Sequence, residues 1–169
     1  WYVGGSGGTR DYAAAMLWYE RAAEAGDAQA KCKLGECYYF GQGVEEDVHE
    51  AFRWWDAAAA DGNARARTRL GLLYLHGEGV ETNVAEGLAL LTWAAGQGDG
   101  YAYRVIGSLH ATGRAVPHNE ELAFSNFLQA AECSDALGAY FAAASLASGR
   151  GVTRDPDAAL GWYRTANQL

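Results

Sequence analysis

Apolar residues recur along this chain of 169 residues with the i, i+3, i+4 spacing of one helix face, and the pattern resets every 36 residues. Leu70, Leu73 and Tyr74 form one such face; Leu34, Cys37 and Tyr38 hold the same phase one period earlier, and Ile106, Leu109 and His110 one period later. Glycine follows each face. Gly41-x-Gly43-Val44, Gly77-x-Gly79-Val80, Gly113-x-Ala115-Val116 and Gly149-x-Gly151-Val152 are spaced by 36, with Gly5-Ser6-Gly7 one period earlier still. A phosphate-cradling glycine loop is needed once and lies between a strand and a helix. Five copies without insertions read instead as helix terminators, because glycine adopts the left-handed conformation that ends a helix.

Start signals are equally regular. Asp27, Asn63, Asp99 and Asp135 precede one helix of each unit, and Asp11, Asp47, Asn83, Asn119 and Asp155 precede the other. Short Asx side chains accept the free N–H groups of a first turn, worth about 1 kcal/mol per cap. Asp47 with Glu50, and Asn83 with Glu86, have capping-box spacing, and Pro156 suits a first helical position. The pattern predicts A helices over 28–40, 64–76, 100–112 and 136–148. It predicts B helices over 47–60, 83–96, 119–132 and 155–167, with an additional B helix over 11–25.

On the B helices, small residues (Ala15, Ala51, Gly87, Ala123, Ala159) stand four positions before large ones (Tyr19, Trp55, Leu91, Phe127, Tyr163). That alternation lets two helices approach while a ring fills the next gap. On the A helices, Leu34-Gly35, Leu70-Gly71 and Ile106-Gly107 play the matching part. Helices this short are marginal alone in water and must stack on neighbours. The expected fold is therefore all-α, an α/α superhelical solenoid of antiparallel helix pairs. One domain over 1–169 is expected, with a partial repeat at 1–26, full repeats at 27–62, 63–98 and 99–134, and a final repeat at 135–169.

One unit reads Ala28, Ala30, Leu34, Gly35, Tyr38, Gly41, Gly43, Val44, Ala51, Trp54, Trp55, Ala58, Ala59, Gly62. This order resembles the Sel-one-like repeat family, a relative of the tetratricopeptide repeat, over essentially the whole chain. Departures fall late: Ala142-Ala143 replaces Leu-Gly, Ala115 replaces a loop glycine, and Leu90 and Asn126 replace the tryptophan. The cysteine pair that staples each unit in some secreted members is missing. The resemblance implies a superhelix with the A helices on the concave side, used as an adaptor or scaffold for protein complexes.

A formal charge of −8 argues against general affinity for nucleic acid or anionic membrane. No apolar run reaches the roughly 18 residues of a membrane span. The charge is unevenly placed. The four A segments carry six bases and a single acid, Glu36, a surplus of five, which leaves −13 on the remainder. A locally positive inner wall would attract acidic or carboxylate-bearing partners; solvated helix surface is the plain alternative.

Reactive groups do not converge. The Cys32 and Cys37 pair lacks a second half and sits about 7.5 Å apart along a helix, too far to bridge. No two histidines have i, i+4 spacing, and His110 falls in a column expected to be buried. Ser-x-x-Lys and Gly-x-Ser-x-Gly are absent, and the acids Glu45-Glu46-Asp47 and Glu120-Glu121 sit where acids favour helix N-termini. No metal, cofactor or catalytic set is expected. The odd cysteine count slightly favours a reducing, cytoplasmic compartment. A first residue that is Trp leaves periplasmic or secreted placement open.

Laid on the related repeat's pattern, four A-helix columns point into the groove. They are Gln29, Arg65, Tyr101, Leu137; Cys32, Thr68, Arg104, Tyr140; Glu36, Leu72, Ser108, Ala144; and Tyr39, Leu75, Ala111, Ala147. Tyr101, Arg104 and Tyr140 are hot-spot residue types. Trp93 shares its column with Arg21, Ala57, Gln129 and Thr165, which reads as outward-facing. It either folds over Leu90 or marks a second contact surface. Trp1-Tyr2 aligns with Cys37-Tyr38, where an A helix would be ending, so a longer array, or ends packed on other chains, is expected. The leading reading is a non-catalytic module holding a protein or peptide segment in the groove. A spacer or end-to-end oligomerisation element is the second, and a hydrolase or ligand-modifying enzyme the third.

Overall fold

The computed structural model describes residues 12–169; the loop at Gly4 to Gly8, the Trp1-Tyr2 alignment and the cap expected at Asp11 lie outside the described residues. Within them the chain forms nine helices of 13 residues and no strand: α1 Tyr12–Glu24, α2 Ala28–Phe40, α3 Val48–Ala60, α4 Ala64–His76, α5 Val84–Gly96, α6 Gly100–Thr112, α7 Glu120–Glu132, α8 Ala136–Ser148 and α9 Pro156–Gln168. The A helices are α2, α4, α6 and α8.

The ends are where local chemistry puts them. Asp27 Oδ1 accepts from the N–H groups of Gln29 and Ala30 at 2.8 and 3.0 Å, and Asp47 does the same for His49 and Glu50. Asn63, Asn83, Asp99, Asn119, Asp135 and Asp155 each cap the helix that follows. Each A helix stops at a left-handed glycine: Gly41, Gly77, Gly113 and Gly149. The chain is then tied back, as the Asp47 N–H donates to Tyr38 O, Asn119 to His110 O and Asp155 to Leu146 O, at 2.9–3.0 Å. These bonds fix where the B helix begins relative to the A helix it follows.

The helices form two compact units, one reaching Thr82 and one running from Asn83 to Leu169. In the first, α1 packs on α2, α2 on α3 and α3 on α4; in the second, α5 through α9 pack in sequence and α6 also touches α8. Each unit is thus a stack of sequential helices, the all-α solenoid class expected from the 36-residue period.

The small–large contact between A and B helices is very close. A Cβ on Gly35 would lie 2.4 Å from the Trp55 ring, and one on Gly107 would lie 2.8 Å from Phe127. Trp55 is 1% exposed, and its indole N–H donates to Cys32 O at 3.1 Å, so the buried polar atom is satisfied. Where Ala142-Ala143 stands in place of Leu-Gly, Phe141 helps fill the layer, its ring centroid 5.1 Å from that of Phe127.

Two expectations change. His110 is half-buried rather than a core residue, because its polar ring meets the following loop, where Nδ1 lies 3.3 Å from Pro117 O, whereas the apolar Leu146 at the same helical position is buried. Left-handed backbone is also not confined to glycine: Ala115 has φ 67° and Ser134 φ 63°. At the position of Ser134 the other repeats carry Gly26, Gly62 and Gly98.

L-residues pay for that region in strain. Ala115→Gly and Ser134→Gly should each stabilise the chain by about 0.5–1 kcal/mol in urea unfolding. Gly35→Ala should cost about 1–3 kcal/mol in the same measurement, since the Trp55 ring has to move.

Candidate interaction surfaces

In the first unit the A helices meet around one carboxylate. Residues 29, 33, 36 and 40 share a face of α2, and Arg65 and Arg69 stand one turn apart on α4. Lys33 Nζ lies 2.8 Å from Glu36 Oε2, while Oε1 receives Arg65 Nε at 3.0 Å, Arg65 Nη2 at 2.9 Å and Arg69 Nη2 at 3.0 Å. Three cations therefore converge on one acid, and the group keeps a surplus of two positive charges.

Glu36 is buried. Burial alone would raise its pKa, but the hydrogen bonds and charges of Lys33, Arg65 and Arg69 outweigh it and hold the carboxyl below its ordinary 4.5. The arginine side of the group rests on aromatic rings. The Arg69 guanidinium carbon is 5.8 Å from the Phe40 ring centroid and 6.0 Å from that of Trp55. Phe40 is half exposed and lies edge-on to Tyr39, whose hydroxyl donates to Glu78 at 2.6 Å. Gln29 is exposed and accepts from Asn63 Nδ2 at 3.1 Å, and Leu72 is half-buried.

The second unit presents a different surface. Arg104 Nε donates to Asp135 Oδ1 at 2.9 Å, and that oxygen also caps α8 through the Gly138 N–H. The Arg104 guanidinium lies 4.7 Å from the Tyr101 ring centroid, within cation–π range. Tyr140 is 49% exposed yet flanked edge-on by Phe141 and Tyr163, at 5.7 and 5.5 Å. Leu137, one turn earlier on α8, is equally open. Trp93 lies on α5 with about a third of its surface exposed.

Of the residues expected to line a groove, Thr68 and Glu36 are not surface residues: Thr68 is fully buried, as is Cys32 in the same column. Short side chains there stop below the surface, whereas Arg104 and Tyr140 in that column reach out. The A-helix cations are also less free than expected. Lys31 pairs with Asp61, Arg67 donates to Ala59 O, and Arg104 is matched by Asp135. What sequence reasoning missed is Glu36 as an organising centre. The signal was there: it is the sole acid on the A segments, and Arg69 falls one period after Lys33.

Burial, with the Glu36 charge as a lesser cause, pushes the Cys32 thiol up to about 11, and burial raises Cys37 too, so both thiols stay protonated at neutral pH. Among the described residues no three His, Cys, Asp or Glu side chains come together as metal ligands, and no helix is long and apolar enough to cross a membrane.

The Sel1 repeat profile matches residues 1–27, 28–63, 64–99, 100–135 and 136–169. Among solved structures, a Sel1 repeat protein from Oxalobacter formigenes is 33% identical with a TM-score of 0.83, over 94% of this chain and 65% of that one. A protective antigen of uropathogenic Escherichia coli with an SLR fold is 29% identical with a TM-score of 0.77, over 99% of this chain and 36% of that one. The chain therefore spans less than two thirds of either. An immunity protein from Pseudomonas aeruginosa, 21% identical with a TM-score of 0.58 over 98% of this chain and 77% of its own, shares the fold. No curated protein sequence matches the chain.

The depressed Glu36 pKa has a sign that can be checked. A carboxyl held lower in the folded state contributes stability that is complete above its unfolded value of 4.5 and fades as pH falls through the folded value. Glu36→Gln should therefore destabilise the chain at neutral pH and flatten the loss of melting temperature between pH 5 and pH 3, measured by circular dichroism.

Proposed function

The chain belongs to the Sel1 repeat family, and from that premise we propose that it is a non-catalytic protein-interaction module whose A-helix side holds a protein or peptide segment. One observation carries the reading. The columns that pack helices together stay small or large and apolar from repeat to repeat, whereas the A-helix columns at 29, 65, 101, 137 and at 32, 68, 104, 140 change chemistry at every step. They do so with residues suited to recognition: Arg65, Tyr101, Arg104 and Tyr140.

Rigid aromatic side chains supply contact area at low cost in conformational entropy, and arginine adds directional donors. Tyr140, held between Phe141 and Tyr163, and Arg104, set over Tyr101, fit that description. Trp93 is kept as a separate surface on α5, to be tested by its own alanine variant.

Arg65→Ala, Tyr101→Ala, Arg104→Ala and Tyr140→Ala combined should reduce capture of partner proteins from a lysate of the source organism at least about tenfold. Helix content should be retained, and Arg53→Ala on the B helix α3 should leave capture unchanged. Undiminished capture by the fourfold variant would contradict the proposal.

A further inference from the structure

We infer that the A-helix surface of the first unit seats a partner carboxylate on Arg65 beside the ring of Phe40, so that the partner segment is an acidic peptide with an apolar side chain next to its acid. This rests on the A-helix side being the binding side and adds what that side selects. Lys33, Arg65 and Arg69 share the single charge of Glu36, so two positive charges are left on a partly dehydrated surface. An incoming carboxylate offsets that surplus, and a lysine-bearing partner would increase it.

The donor is at hand. Arg65 spends Nε and Nη2 on one oxygen of Glu36, its side chain is 48% exposed, and Nη1 makes no hydrogen bond among the described residues. A guanidinium fixed along one edge has already lost much of its rotamer freedom, so a second carboxylate meets an oriented donor.

The apolar half of the seat lies at Arg69, one turn along α4 from Arg65. Phe40 is 50% exposed, braced by Tyr39 at 4.9 Å, and Arg69 lies 5.8 Å from its ring while donating to the same Glu36 oxygen as Arg65. An exposed ring next to surplus positive charge fits an acid with an apolar neighbour better than a run of acids alone. Nucleic acid is a poor occupant, because two surplus charges on a chain of net −8 cannot release enough counterions.

The test uses three labelled synthetic peptides of equal length, alternating Phe with Glu, with Gln or with Lys, in fluorescence anisotropy against the full chain. The Glu peptide should bind, the Gln peptide at least about tenfold more weakly and the Lys peptide not measurably. Affinity for the Glu peptide should fall on raising salt from about 0.05 to 0.5 M. Arg65→Gln should weaken it at least about fivefold without loss of helix content.

Equal affinity for the Glu and Gln peptides, no binding of the Glu peptide at about 1 mM, or an unchanged Arg65→Gln variant would overturn the inference. So would self-association of the chain abolished by Arg65→Gln, which would assign the seat to a second copy. If capture from lysate is lost in the fourfold variant while the peptides fail to discriminate, the interaction reading stands and the carboxylate seat falls. If capture survives that variant, both fall.

Discussion

A tryptophan ring occupies the space where a side chain on Gly35 would begin, and the arrangement depends on that contact. Helices of 13 residues do not persist alone in water. Their stability comes from backbones approaching closely enough for Trp55 and Phe127 to be removed from solvent. Glycine or alanine on the facing helix makes the approach possible. With one face of α2, α6 and α8 taken up by the B helix that follows, the opposite face is left largely to polar and aromatic residues.

That outer face has an organisation of its own. In the first unit a buried carboxylate joins α2 to α4 through three cations, and in the second Asp135 both caps α8 and anchors Arg104. These ion pairs hold long side chains that would otherwise be mobile, and so turn them into ordered donors. Removing Glu36 would leave three cations crowded together without a counter-charge, a larger perturbation than removing any one of them. Structural cohesion therefore draws on the same residues that are proposed for recognition.

The fold was legible because its determinants are local. A capping Asx, a terminating glycine and a small–large column each act within one or two turns, and repetition at 36 residues makes every instance confirm the others. The A helices begin and end at the residues expected from Asp27 to Gly149. The surfaces were less legible, for two reasons. Glu36 finds Arg65 and Arg69 in the next repeat, so the cluster emerges only when successive units are laid over one another. Thr68 and Cys32 share a column with Arg104 and Tyr140, yet are buried because exposure there depends on side-chain length rather than on phase. His110 shows a third limit, since a polar ring at a position where Leu146 is buried turns to a loop carbonyl instead of the core.

The packing columns stay small or large and apolar from repeat to repeat, while the A-helix columns proposed to meet a partner vary in chemistry. The claim that those positions face the partner is tested most directly by site-specific photocrosslinking. A photoreactive amino acid would replace Leu137 on α8 in one variant and Arg53 on α3 in another, with adducts identified by mass spectrometry in cells of the source organism. A discrete protein adduct from position 137 and none from position 53 is the expected result; an adduct from position 53 alone would contradict the account.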